Sequence, residues 1–484
     1  MIKKLIKRWL GRPSHASSLG HRVEIASAQH GIDPSRVDRR ALDVVDTLQR
    51  AGFEAYVVGG AVRDLLLGIT PKDFDVATNA TPEEVKRLFR RAFVIGRRFR
   101  IVHVVFGRGR DHEVIEVSTF RALLDSANAK RMSGNERSHK RQLEQVSHAV
   151  DASGRVLRDN VWGPQNEDAA RRDFTINAMY YDPRSGVVVD YHQGFADAKA
   201  KQLRMIGEAA QRYREDPVRV LRAVRFAAKL APLGFDLAAS TRRPLKACTP
   251  LLADVPPSRL FDEMMKLLQT GHAVSSVQTL KRLGLAQGVF ALLDLVVARA
   301  EHPMVAGVLQ DTDRRVAAGK PVAPSYLLAC VLWPDVLQAR DALGAQGQRL
   351  APIEALSAAA DDVFQARVGD VSGRGKLGAD MREVWLMQPR LERRLPRSID
   401  GLLAQPRFRA GFDFLRLRAQ CGEADAACAA WWEAMSQTTN THERDVLLEA
   451  VRQQPASGGA RKPRRRRRGA DGGAKDGPPP VGGE

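Results

Sequence analysis

Asp73 and Asp75 stand one residue apart in Lys72-Asp73-Phe74-Asp75-Val76, where polar and apolar residues alternate as in a strand. Strand side chains alternate faces, so both carboxylates point the same way. Two carboxylates this close repel each other unless a divalent cation sits between them. Upstream, Tyr56-Val57-Val58 is a short apolar strand, and Gly59-Gly60 opens a helix expected over residues 61–67 with Arg63 in its first turn. Glycines let the backbone approach a ligand, and a helix N-terminus offers unpaired N–H groups to phosphate. A phosphate loop beside a cation-holding acid pair is the equipment of an enzyme that handles a nucleoside triphosphate. The expected cation is magnesium, shared with substrate phosphates rather than caged by protein alone.

The elements that must position these groups follow from pattern. Residues 34–51 read as a helix whose Val37, Leu42, Val45 and Leu48 make an apolar stripe. Thr81-Pro82-Glu83-Glu84 is a helix start, with a cap, proline at the first position and acids in the first turn, and the helix is expected to reach Arg91. Residues 93–106 and 114–120 alternate as two further strands of one mixed sheet, turned at Gly107-Arg108-Gly109. Glu116 lies on the second of them, between Ile115 and Val117, which face the other way, and is a candidate third carboxylate. Residues 122–158 lack periodicity and read as a mobile polar loop. Arg171-Arg172-Asp173-Phe174-Thr175-Ile176-Asn177-Ala178 follows. Its paired arginines suit a triphosphate, and Asp173 either holds one of them or joins the acid pair. Residues 211–230 read as one helix with Pro217 near its start and basic residues at 219, 222, 225 and 229 along one face.

These motifs, strand, Gly-Gly, helix with Arg-Asp, then Asp-x-Asp on a strand, resemble the nucleotidyltransferase superfamily that includes DNA polymerase beta. The segment from Arg171 to Ala178 is similar to a signature of its class II branch, which holds bacterial poly(A) polymerases and tRNA CCA-adding enzymes. The resemblance implies a catalytic set of Asp73, Asp75, Asp173 and Glu116, with two Mg²⁺ on Asp73 and Asp75 and ATP as substrate. It implies nucleotide binding by Gly59, Gly60, Arg63, Arg172, Asn177, Asp216 and Arg219, with Glu215-Asp216-Pro217-Val218-Arg219 reading the base. On a continuous helix Asp216 and Arg219 would face one base edge, complementing adenine and cytosine and rejecting guanine. Residues 94–104, Val-Ile-Gly-Arg-Arg-Phe-Arg-Ile-Val-His-Val, are similar to the segment that marks the poly(A) polymerases. No His-Asp dipeptide occurs in the chain, as the phosphohydrolase-bearing CCA-adding enzymes would require. The expected activity is therefore addition of AMP to RNA 3′ ends, with tRNA CCA addition and a catalytically silent RNA-binding adaptor as alternatives.

Composition agrees with a polyanionic partner. Lys and Arg exceed Asp and Glu by 76 − 56 = 20 in 484 residues, for a pI near 10.2. The four cysteines, at 248, 330, 421 and 428, form no metal spacing and read as free thiols of a reducing cytoplasm. No apolar run approaches the length that crosses a bilayer, so a soluble, cytoplasmic protein is expected.

The fold expected is α+β. A basic N-terminal segment and linker occupy 1–35, whose first ten residues form a basic amphipathic helix able to touch a membrane surface or a protein. A nucleotidyltransferase head with a small mixed sheet flanked by helices covers 36–182, a helical nucleotide-recognition neck 183–270, and a helical RNA-binding region 271–454. A disordered tail, 455–484, carries Arg461, Lys462, Arg464, Arg465, Arg466, Arg467 and Arg468, a block that attracts RNA phosphates without sequence preference.

Overall fold

The computed structural model describes residues 19–96, 100–107, 112–123, 130–132, 148–151, 156–345, 350–368 and 374–453. The expectations for residues 1–10 and for the arginine block at 461–468 lie outside these. The fold is α+β, with an N-terminal mixed sheet followed by a long run of helices.

The strands of the two larger sheets are β1 (Val23–Ile25), β2 (Ala55–Val58), β3 (Asp75–Thr78), β4 (Ala92–Ile95), β5 (Ile101–Phe106), β6 (Glu113–Thr119), β7 (Lys130–Met132), β8 (His148–Asp151), β9 (Val156–Asp159), β10 (Met179–Asp182) and β11 (Val187–Asp190). Eight of them form one sheet in the order β1-β11-β10-β2-β3-β6-β5-β4, and β7-β8-β9 form a second. Only β3 and β6 run parallel in the large sheet.

The strands depart from expectation in several places. Residues 11–35 are not simply a linker, because Val23–Ile25 pairs with β11 and Ser27–His30 is a short helix, α1. The sheet therefore extends beyond 36–182 at both ends, to β1 and to β11. Residues 93–106 are two strands, since Gly96 takes a positive φ of 83° that turns the chain back on itself. Part of the expected loop at 122–158 is strand, at β7, β8 and the start of β9.

One face of the large sheet is covered by α2 (Arg39–Arg50), α3 (Gly60–Leu66) and α4 (Pro82–Leu88). Asp38 caps α2 through the Arg40 N–H, and its Ala41, Val44, Val45 and Leu48 are buried on Val57, Val76 and Val117. Residues 34–36 form a separate 3₁₀ turn ahead of α2, so the single helix expected over 34–51 is two pieces. Thr81 and Glu84 close the reciprocal cap of α4, which stops at Leu88.

The other face carries a smaller apolar cluster. Val189, Tyr180, Val58, Ala77 and Phe120, which directly follows β6, pack there under Ala169 of α5 (Gln165–Arg171), and among the described residues β4, β5 and β6 themselves add nothing to that cluster. After β11 come α6 (Gly194–Lys199), α7 (Ala209–Glu215) and α8 (Arg219–Leu230). The remaining helices share one large apolar core with α8 and a smaller one around Trp432. Trp431 and Trp432 are core residues, at 8% and 0% exposure. Cys248, Cys330 and Cys428 are buried free thiols, and Cys421 is half-buried. No helix among the described residues is long and apolar enough to cross a membrane.

Candidate active site

Register places the acids. Asp75 is the first residue of β3, paired with Val58 of β2 on one side and with Glu116 of β6 on the other. Strand pairing begins at Asp75, so Asp73 precedes the strand, but the alternation holds: Phe74 is buried while Asp73 and Asp75 reach solvent. The carboxyl of Asp75 is raised to about 6, by burial first and then by the charge of Glu116, with Asp73 adding and Arg172 opposing. Glu116 is therefore beside Asp75, as expected of a third carboxylate, and His103 Nε2 lies 3.3 Å from its Oε1. Among the described residues no group of three His, Cys, Asp or Glu converges to cage a metal. A crowded set of carboxylates, in which Asp75 holds its proton more tightly than usual, is a donor set that fits a hard divalent cation completed by other oxygens.

The glycine turn and Arg172 sit across β2 from the acids. Gly59 takes φ 79° and ψ −134°, which a side chain would strain, and a Cβ there would lie 3.8 Å from Nη1 of Arg172. Arg172 is fixed from behind. Asp168 accepts from its Nε at 3.2 Å and Nη2 at 3.0 Å, Tyr180 donates to the same carboxylate at 2.8 Å, and the guanidinium stacks 5.3 Å from the Tyr180 ring. Asp168 was not singled out from sequence, although its four-residue spacing from Arg172 along a helix is the visible signal.

Arg63 does not face the loop as an open cation. It is 2% exposed, gives Nε and Nη2 to Asp64 at 2.8 and 2.7 Å, and gives Nη1 to Asn177 Oδ1 at 2.7 Å. It braces Gly60 and Asn177 from beneath, because its Nη2 would lie 3.4 Å from a Cβ on Gly60.

Asp173 is also placed differently from the acid set. It bonds Arg219 Nε at 3.1 Å and Arg222 Nε, neither of them Arg172. Burial alone would raise its carboxyl, but Arg222 and Arg219 hold it down at about 2. Asp73 and Glu116 crowd Asp75, and Asp173 is not among the charges acting on it. It is a half-buried anchor for two arginines of α8.

The segment expected to read the base is not a continuous helix. α7 ends at Glu215, Asp216 is extended at φ −147°, and α8 begins at Arg219. Pro217 is the cause, since it drives the residue before it out of helical geometry. Asp216 takes a partner invisible in the sequence: Arg259, on the helix Pro257–Leu268, donates Nη2 to its Oδ2 at 2.7 Å. Asp216 Oδ1 and Arg259 Nη1 remain buried with no hydrogen-bond partner among the described residues. Arg219 spends Nε on Asp173 and Nη1 on the Arg212 carbonyl (2.8 Å) and Glu215 (3.2 Å). The basic face of α8 is no solvated stripe, for Arg222 and Arg225 both reach the buried Glu263.

What fold and site define together is a nucleotidyltransferase, because a glycine turn with a fixed arginine follows β2 and the acid set opens the adjoining strand β3. Models of three families match the chain: Poly A polymerase head domain over residues 55–204, Probable RNA and SrmB-binding site of polymerase A over 234–295, and Polymerase A arginine-rich C-terminus over 348–469. The Poly(A) polymerase I of Haemophilus influenzae is 40% identical over 88% of this chain and 90% of its own, and that of Salmonella typhimurium 38% over 94% of each. The CCA-adding enzyme of Geobacillus thermodenitrificans is 37% identical over only 51% of this chain and 54% of its own. A solved Bacillus stearothermophilus CCA-adding enzyme in complex with CTP is 25% identical over 86% of this chain and 97% of its own, with a TM-score of 0.45. The chain belongs to the poly(A) polymerase family, and it is an enzyme of RNA polyadenylation.

Proposed function

We propose that this enzyme extends RNA 3′ ends in the cytoplasm, without a template, using ATP. The observation that carries this reading is the pairing of Asp75 with Glu116 on one side and with Val58, next to Gly59, on the other. It puts an acid cluster and a phosphate loop on adjoining strands. The RNA 3′ oxygen attacks the α-phosphorus, a 3′–5′ phosphodiester forms, the bond to the β-phosphate oxygen breaks and pyrophosphate leaves with that electron pair. The hydroxyl proton passes to the acid cluster and on to water.

Gly59 and Arg172 receive the triphosphate, and Asp168 and Tyr180 keep Arg172 aimed at it. Asp73 and Asp75, with Glu116 beside them, would hold Mg²⁺, which when bound acidifies the 3′ hydroxyl and balances charge on the leaving pyrophosphate. Asp216 Oδ1 is an unmet buried acceptor suited to the adenine N6 amino group. Arg219 retains Nη2 for N1. Guanine meets both with the wrong polarity. The Asp216 and Arg219 pair fits cytosine as well, so CTP use is decided by experiment.

Purified protein is incubated with Mg²⁺, each NTP singly, and either a generic RNA or a tRNA lacking CCA. Long ladders on generic RNA with ATP alone are expected. A stop after three nucleotides that requires CTP would instead establish tRNA repair, and no extension at all would sink the enzymatic reading. Arg259→Ala should leave Asp216 unsupported and lower the preference for ATP over GTP in kcat/KM by about tenfold or more, consistent with the cost of a lost charged hydrogen bond. Removing residues 455–484 should shallow the dependence of RNA affinity on salt, because each phosphate contact contributes about 0.7 to the log–log slope on single strands.

A further inference from the structure

Register carries one row of side chains across seven strands of the large sheet: Val189, Tyr180, Val58, Asp75, Glu116, His103 and Phe93 are successive cross-strand partners. All share one face. From Val189 to Val58 the row lies in the cluster under α5. From Asp75 onward it is solvent-accessible, ending at Phe93, which is 54% exposed on the edge strand, with Ile95 beside it at 42%. The neighbouring positions Val94, Val102, Ile115 and Val117 point to the opposite face and join its core, so Phe93 is not a core residue lacking cover. A large aromatic held at the open end of a row that starts at the acid cluster has no role in the mechanism above.

We infer that the open half of this row is the track on which the last few nucleotides of the RNA lie, with Phe93 stacking a base. The inference rests on the function proposed above. Three features favour RNA as occupant. The track is continuous with the carboxylates that must meet the 3′ hydroxyl. Stacking on an aromatic face is indifferent to base identity, as a substrate of arbitrary sequence requires. The chain's excess of 20 positive charges favours a polyanion over a neutral partner.

Spacing makes the inference specific. Neighbouring strands lie about 4.8 Å apart, so three steps from Asp75 to Phe93 span about 14 Å. At about 3.4 Å per stacked nucleotide, that is roughly four nucleotides. Phe93 is therefore expected to meet the base near the fourth position from the 3′ end, out of reach of a dinucleotide primer.

The test is Phe93→Ala with Phe93→Trp as the conservative partner. KM for a hexanucleotide primer should rise about tenfold in Phe93→Ala, within the range of a lost base–aromatic stack, and return with Phe93→Trp. KM for ATP, kcat at saturating primer, KM for a dinucleotide and the melting temperature should not move. Independently of turnover, 2-aminopurine at the fourth position from the 3′ end should be quenched on binding wild type and not on binding Phe93→Ala. An equal effect on short and long primers, unchanged hexanucleotide KM and quenching, or a dimer that Phe93→Ala dissociates in sedimentation would each overturn the track. Quenched binding without any extension by wild type would leave the track standing and overturn the proposed function instead.

Discussion

Asp75→Asn is expected to reduce AMP transfer at least about a thousandfold, the effect of losing several kcal/mol of charge stabilisation at the reacting phosphate, while the protein stays folded. The carboxyl is raised to about 6 by burial and by Glu116, so its ionised form is disfavoured in the fold. The sign follows from that. Between its ordinary value of 3.8 and 6 the folded state binds the proton more tightly than the unfolded chain, so the group costs stability increasingly as pH rises through this window. Asparagine removes that cost. Above pH 6 and without Mg²⁺ the variant should melt at or above wild type, and the difference should vanish below pH 4. Activity within tenfold of wild type would end the assignment of Asp75 to the reaction. A variant melting well below wild type at pH 7.5 would show that the carboxylate is instead structural.

Asp173→Ala should behave in the opposite way. It leaves the half-buried Arg219 and Arg222 without their shared anion, and stranding charged groups that are only partly covered costs about 1–3 kcal/mol. The variant is expected to unfold at clearly lower temperature and urea concentration, and to show a raised KM for ATP as Arg219 loses the bond that aims it. Because Asp173 titrates at about 2, its contribution is fully present above its ordinary value of 3.8 and disappears only as pH falls through 2. The penalty should therefore be flat from pH 5 to 9. Wild-type melting combined with complete loss of AMP transfer would return Asp173 to the acid set.

These two outcomes separate what was legible in the sequence from what was not. Local rules worked at several places where a neighbour in sequence is a neighbour in space. Asp73 and Asp75 share a face by alternation, Thr81 and Glu84 cap by spacing, and Gly59 is needed for its backbone angles. The same rules failed at Pro217, whose effect on the preceding residue was present in the sequence but outweighed there by the helical periodicity from 219 onward. Partnerships between distant segments had no local signature. Arg259 reaches Asp216 across 43 residues, Asp173 chooses Arg219 and Arg222 over its own neighbour, and His103 meets Glu116 only because β5 and β6 pair in one register. Arg63 illustrates a further limit, since a basic residue behind a glycine loop reads as a phosphate ligand until burial shows it committed to Asp64 and Asn177.

The pairing of β2 with β10 has a consequence for how the molecule is made. Val58 meets Tyr180 across 180 − 58 = 122 residues, and β1 meets β11 across a longer interval still. Such non-local contacts must absorb the entropy of closing a long loop before any of it is returned, which slows folding. During synthesis β2 therefore waits with an unpaired edge until residues 179–182 have emerged, and the nascent head exposes strand edge throughout that interval. Because Arg172 is delivered to Gly59 by the same pairing, the catalytic centre is completed in one late event. A ribosome-stalled chain ending before Met179 should carry the acid cluster yet have no place to hold a nucleotide.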